Sequence, residues 1–174
     1  MKTFTVKILS SFTLGAALAL LSACGGSDDS GASGGTSGSA SEPAAGAVDK
    51  TVTIEANDQM KYDTDVFYAN RGDRIKIHLK NVGSMPEMSM GHNVVVLFPG
   101  SDETGFVSAA ANAAANDYIP EAFVDSVVAH TEMTGGGEEA TVVFTVPNKD
   151  GTYPFLCSFP GHYQVGMKGS MVVR

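Results

Sequence analysis

Cys157, His162 and Met167 stand at even steps in "LCSFPGHYQVGMKG" (156–169), with four residues between each pair. A thiolate, an imidazole and a thioether in one short loop are the donors of a soft-metal site. Copper centres that carry electrons take two histidines, one thiolate and a weak, long axial methionine. The loop supplies three of those four. Such a set lies between the preferences of Cu(I) and Cu(II), so it rearranges little when an electron moves. It also leaves no coordination position free for a substrate.

The second imidazole must come from His78, His92 or His130. His92 lies in "SMGHNVVV", where a glycine-bearing turn meets an apolar run, about 65 residues before Cys157. His78 alternates with Lys76 and Lys80 and reads as solvent-facing; His130 closes a strand and reads as a surface residue. The plain structural alternative makes Cys157 a buried strand thiol, Met167 core and His162 a turn residue. Zinc could also occupy Cys157, His92 and His162 with a fourth ligand.

Other chemistries fit less well. A cysteine–histidine hydrolase needs a base placed on the thiol, and nothing orients His162 that way once Met167 is accounted for. A multicopper oxidase or nitrite reductase needs further histidines, and a binuclear copper site needs a second cysteine in the loop. The reading is therefore not an enzyme. A net charge of −8, from 11 basic and 19 acidic residues, argues against nucleic acid as a partner.

These residues must be carried by a domain, and the chain sets one apart. Residues 1–23 read as an export signal, with Lys2 and Lys7 before an apolar run. The tetrad Leu21-Ser22-Ala23-Cys24 resembles a bacterial lipobox, which implies cleavage before Cys24 and acylation of that residue. Residues 24–48 are mostly Gly, Ser and Ala and read as a flexible tether. Residues 49–174 form one domain, exported and held on a bacterial membrane facing the periplasm or the exterior. If Cys24 carries lipid, Cys157 is left without a disulfide partner in an oxidising compartment, and a metal bond would protect it.

Within the domain, "TVTIEA" (51–56), "RIKIHLK" (74–80) and "ATVVFTV" (140–146) alternate apolar and polar residues, as half-buried strands do. "NVVVLF" (93–98), "TYPFLC" (152–157) and "SMVVR" (170–174) are short apolar runs, and 65–69 and 126–130 are weaker strand candidates. Glycine- and proline-bearing turns separate them. The pattern predicts an all-β sandwich. One alanine-rich segment, 101–117, predicts an inserted helix capped by Ser101.

"MGHN" (90–93) and "FLCSFPGHYQVGMKG" (155–169) resemble azurin and its relatives, the small blue copper proteins. The likeness extends to "ANDQMKYDT" (56–64) and "VVAHTEMTGGGEEATVVFTV" (127–146) and covers the domain from about residue 50. It implies a Greek-key cupredoxin sandwich with a helical flap and one type 1 copper per chain. His92, Cys157 and His162 would hold the metal in a plane. Met167 would be axial, the Gly91 carbonyl would lie opposite, and Asn93 would brace the cysteine segment. The implied role is single-electron transfer between redox partners, a cytochrome or a membrane complex, by a monomeric domain. The alternative is a copper chaperone or store.

The sequence departs from azurins in three ways. It has one more residue between His162 and Met167, a spacing similar to that of the auracyanins, membrane-attached relatives from photosynthetic green bacteria. It cannot form the azurin disulfide, and it contains no tryptophan. "SMPEMSM" (84–90) adds Met85, Met88 and Met90 before His92. These read as loop packing, as an apolar docking face with Met85 beside His162, or as a Cu(I) donor site.

Overall fold

The computed structural model describes residues 46–174. The signal, Cys24 and nearly all of the tether lie outside the described residues, so the lipobox reading is not addressed by it. Two sheets face each other. In the first, β1 (Lys50–Asn57), β2 (Lys61–Tyr62), β4 (Arg74–Asn81) and β7 (Glu139–Thr145) lie in the order β2-β1-β4-β7. In the second, β3 (Val66–Ala69), β5 (Val95–Leu97), β6 (Val127–His130), β8 (Gly151–Leu156) and β9 (Lys168–Val173) lie in the order β3-β9-β8-β5-β6. The β1–β4 and β3–β9 pairs are parallel, and the other pairs are antiparallel. Among the described residues, no helix is long and apolar enough to cross a membrane.

The alternating strands behave as their pattern demands. Val52, Ile54 and Ala56 of β1 and Ile75, Ile77 and Leu79 of β4 are buried, while their neighbours face out. The apolar run of β5 differs because it is covered on both sides. Val94 and Val96 enter the core between the sheets, whereas Val95 and Leu97 face the helical insert. There α2 (Glu103–Ala110) buries Phe106, Val107 and Ala110 against Val95, Leu97 and Leu156. Each large apolar side chain covered this way contributes about 1.5–3 kcal/mol.

The insert is shorter than the sequence predicts, and its cap is different. The α-helix runs from Glu103 to Ala110 rather than over 101–117, followed by a 3-10 turn at Ala114–Asn116. Asp102, not Ser101, is the N-cap: its carboxylate accepts the Gly105 N–H at 2.9 Å, while the Ser101 hydroxyl donates to the Phe98 carbonyl at 2.8 Å. Beyond Ala110 the small side chains find no apolar partner to bury, and Asp117 and Tyr118 turn to left-handed φ values of 50° and 58°. Alanine's propensity alone does not hold a helix this short in water. Three further elements are not apparent from the pattern: the two-residue β2, a single turn, α1 (Glu87–Met90), which starts after Pro86, and a 3-10 helix at Glu121–Ser126.

Gly169 of β9 lies against Phe155 of β8, its partner in the register. A Cβ there would come within 2.3 Å of the Phe155 ring and 2.5 Å of the Asp65 carbonyl oxygen. The oxygen belongs to the backbone and also accepts from Ser170 N–H, so it cannot swing away. Gly169→Ala is expected to cost about 1–3 kcal/mol, read as a lower denaturant midpoint at unchanged slope. An unchanged midpoint would show that β9 shifts without cost.

Candidate metal centre

Strand register gathers the site. Val95 of β5 pairs with Leu156 of β8, so the residues beyond that pair, Asn93 and Ser158, meet. Leu156 also pairs with Lys168 of β9, which sets Cys157 beside Met167; the Cys157 N–H donates to the Met167 carbonyl at 3.1 Å. His92 is fixed from the other side by Thr134. Their main chains exchange hydrogen bonds at 3.0 and 2.9 Å, and the Thr134 hydroxyl donates to the His92 carbonyl at 2.9 Å. His162 lies in the turn between Cys157 and Met167.

The ligand atoms of His92, Cys157 and His162 lie within 4.8 Å of one another. The Cys157 sulfur is 3.4 Å from Nδ1 of His162 and 3.9 Å from the Gly91 carbonyl oxygen. The two imidazole rings are 4.9 Å apart between centroids. His92, Cys157 and Met167 are 0% exposed and His162 is 2% exposed. Neither ring nitrogen of His92 makes a well-formed hydrogen bond, although the Asn57 carbonyl favours its protonated form. Buried polar atoms are ordinarily paired. A His92 nitrogen without a well-formed hydrogen bond, beside a thiol and a second imidazole, therefore fits a soft-metal ion well.

Asn93 ties the two loops. Its side-chain oxygen accepts from the Ser158 N–H at 3.0 Å, and its side-chain amide donates to the Ser158 hydroxyl at 2.8 Å and to the Asp117 carbonyl at 3.1 Å. The additional residue before Met167 is taken up by a tight turn. The Met167 N–H donates to the His162 carbonyl and the Gly166 N–H to that of Tyr163, both at 3.0 Å, with Gly166 at φ 97°. That conformation suits glycine and strains other residues. The loop thus lengthens outward, with Gln164 and Val165 exposed, while Met167 stays buried.

The other residues singled out in the sequence lie elsewhere. His78 is half-buried, 2.6 Å from the Glu139 carboxylate, and His130 is exposed, with Nδ1 3.2 Å from the Thr131 carbonyl. Met85 is 42% exposed and Met88 93% exposed. Ser158, Thr134 and Tyr62 all touch the site, yet a lone serine, threonine or tyrosine carries no spacing signal that would have marked it.

Burial sets the charge of the metal-free site. It pushes the Cys157 thiol up to about 11, against hydrogen bonds from the Asn93 and Phe159 main chains and the Tyr62 hydroxyl. Burial, with the neighbouring His92, lowers His162 from 6.5 to about 4, and burial also lowers His92. At neutral pH the site is a thiol and two neutral imidazoles. Between pH 4 and 6.5 the unfolded chain therefore binds protons that the folded chain refuses. Stability rises with pH wherever the unfolded state holds more protons. The copper-free protein should gain stability from pH 4 to 6.5 and then level off. His162→Phe should flatten that slope in denaturant titrations; an equal slope in both proteins would assign it to other groups.

Comparison with known proteins agrees with this geometry. Residues 48–174 match the family described as copper binding proteins, plastocyanin/azurin family. The azurin of Alcaligenes faecalis is 40% identical over 123 residues, covering 69% of this chain and 94% of that protein. Outer membrane protein H.8 of Neisseria meningitidis serogroup B is 41% identical over 113 residues, covering 63% of this chain and 60% of that protein. The crystal structure of dithionite-reduced auracyanin from Roseiflexus castenholzii superposes with a TM-score of 0.64 at 34% identity, covering 74% of this chain and 99% of that one. Its two facing sheets and helical insert are those of the cupredoxin sandwich, and the chain belongs to the plastocyanin/azurin family of copper-binding proteins.

Proposed function

We propose that the chain is a membrane-tethered electron carrier with one type 1 copper. The observation that carries this reading is the buried trio of His92, Cys157 and His162, shut off from water with no room for a substrate. Bound copper supplies a one-electron Cu(I)/Cu(II) couple. Met167 would add a weak thioether ligand, and the Gly91 carbonyl oxygen lies 3.9 Å from the Cys157 sulfur. The Asn93–Ser158 link keeps both ligand loops in place whichever oxidation state is present. The absence of an open position makes substrate chemistry a poor fit, so the reading is a carrier rather than an enzyme.

Electrons leave at the His162 edge. His162 is the one residue of the four with any exposure, and it follows the exposed Pro160 and Gly161. The Phe159 ring lies 4.7 Å from its ring and shields one face. Met85 belongs to the apolar docking face around that edge. The exposed thioethers of Met85 and Met88 also favour a second reading, a Cu(I) chaperone or store. Repeated oxidation and reduction without copper loss separates the two: a carrier keeps its copper, a chaperone gives it up.

The full-length protein is expected to bind one Cu(II) and turn intensely blue by thiolate-to-copper charge transfer, and Cys157→Ser to lose the colour. Met167→Leu should remain blue at a higher reduction potential, because a ligand to Cu(II) is lost. Met167→Gln should lower the potential, because a harder donor favours Cu(II). A colourless one-to-one copper complex would defeat the type 1 assignment. Equal potentials in both Met167 variants would remove Met167 from the axial position.

The lipobox resemblance at Leu21–Cys24 supports attachment by Cys24. One acyl chain gives only marginal membrane binding, so stable anchoring takes more than one. Mature protein should carry acyl groups on Cys24 by mass spectrometry and fractionate with membranes, and Cys24→Ser should release it. An unmodified mature N-terminus would refute the anchor while leaving the copper assignment untouched.

A further inference from the structure

Of His92, Cys157 and His162, only His162 lies in a turn away from any strand or bridge. Cys157 directly follows β8, and His92 forms a bridge with Thr134. What orients the His162 ring comes from the side. The Phe159 ring lies 4.7 Å from it at 36°, and the Tyr118 ring lies 5.1 Å from Phe159 at 55°. Both separations fall in the range of favourable aromatic pairs. Phe159 packs against the main core that holds Cys157 and Met167, whereas Tyr118 packs against the insert cluster of Val95, Leu97 and Phe106. The three rings therefore connect the insert to the ligand turn.

Tyr118 reaches that place through an unusual backbone. Asp117 and Tyr118 are successive non-glycine residues at left-handed φ values of 50° and 58°. Bulky residues rarely adopt that region, and holding it costs about 1–3 kcal/mol at each position. A glycine would close the same turn without that strain. Hydrogen bonds keep the turn in place. The Tyr118 N–H donates to the Ala113 carbonyl at 3.0 Å, the Ile119 N–H donates to the Asn116 carbonyl at 2.8 Å, and the Asp117 carbonyl accepts from the Asn93 side-chain amide at 3.1 Å. Covering Val95 and Leu97 does not require the strain, because Phe106, Val107 and Ala110 of α2 already lie against them. What the turn adds is a ring set against Phe159.

We propose that Tyr118 is a positioning residue for the metal centre: its ring, aimed by the strained Asp117–Tyr118 turn, backs Phe159 and so clamps the His162 imidazole against rotation. The inference rests on the type 1 copper reading. Groups outside the ligand set that orient a ligand ring strengthen the hold on the metal. Rotation of the imidazole would break its bond to the metal, and a clamped ring keeps that bond while the oxidation state changes. Loss of one aromatic contact corresponds to a factor of about two to ten.

The test uses full-length protein carrying Tyr118, Tyr118→Phe or Tyr118→Leu. Phenylalanine keeps the ring; leucine keeps apolar bulk without it. In copper-free Tyr118→Leu the ring-proton NMR signals of His162 should broaden, while those of His92 stay as in wild type. From the copper-loaded variant, Cu(I) should pass to an excess of chelator about two- to tenfold faster. Tyr118→Phe should match wild type in both measurements. Wild-type behaviour of Tyr118→Leu would overturn the proposal. So would equal broadening of His92 and His162, which indicates general loosening, or a Tyr118→Phe protein as impaired as Tyr118→Leu, which takes the ring out of the account. If Tyr118→Leu does not fold, the wild-type protein decides: separate NMR signals for the two edges of the Phe159 ring support the clamp, and one averaged set overturns it. Wild-type protein that is not blue with copper would instead overturn the copper reading, and the copper-free spectra would still decide the clamp.

Discussion

The hydrogen bonds between Asn93 and Ser158 join residues 65 positions apart and lock the His92 loop to the Cys157 loop. Each loop alone has enough freedom to misplace its ligand by more than a metal bond tolerates. The β5–β8 register brings the two loops together, but register ends at Leu156, one residue before the cysteine. Asn93 continues the ladder with a side chain where the main chain no longer pairs. Its amide also reaches the Asp117 carbonyl, so the helical insert is tied to the same point. The insert therefore does more than cover Val95 and Leu97.

That lock works because the site is dry. Placing a charged thiolate there would be costly without a cation, and burial accordingly holds Cys157 protonated and both imidazoles neutral in the metal-free chain. The folded protein can thus preform the site with little electrostatic strain. Metal entry then exchanges the thiol proton for a cation, a coupling common to protein metal sites. The His92 nitrogen that faces the thiol without a well-formed hydrogen bond is a residual cost, and a ligand bond from that nitrogen removes it.

How far these features show in the sequence follows from what covers each strand. β1 and β4 show as alternation because one face meets the core and the other meets water. β5 shows only as an apolar run because the insert covers its second face, and such a run does not reveal which side chains face the metal. His92, Cys157 and His162 could be singled out because few residue types bind soft metals. Tyr62 could not: its two-residue strand lies among turns, and its hydrogen bond to Asn93 spans 31 positions. The length of the insert does not show in the sequence, because alanine propensity reports nothing about which small side chains find a partner to bury against.

The same geometry constrains how a carrier of this kind could be used. With three of the four residues fully buried, only a small edge at His162 comes near solvent, so a partner must approach closely at one place. A small contact face gives a weak complex, and a weak complex separates quickly, as repeated electron delivery requires. Weak contact is a handicap in free solution but much less of one on a surface. Anchoring both partners to one membrane raises their effective concentration without any new contact. On the proposed reading, buried ligands would keep the copper in and a narrow exit would keep encounters brief.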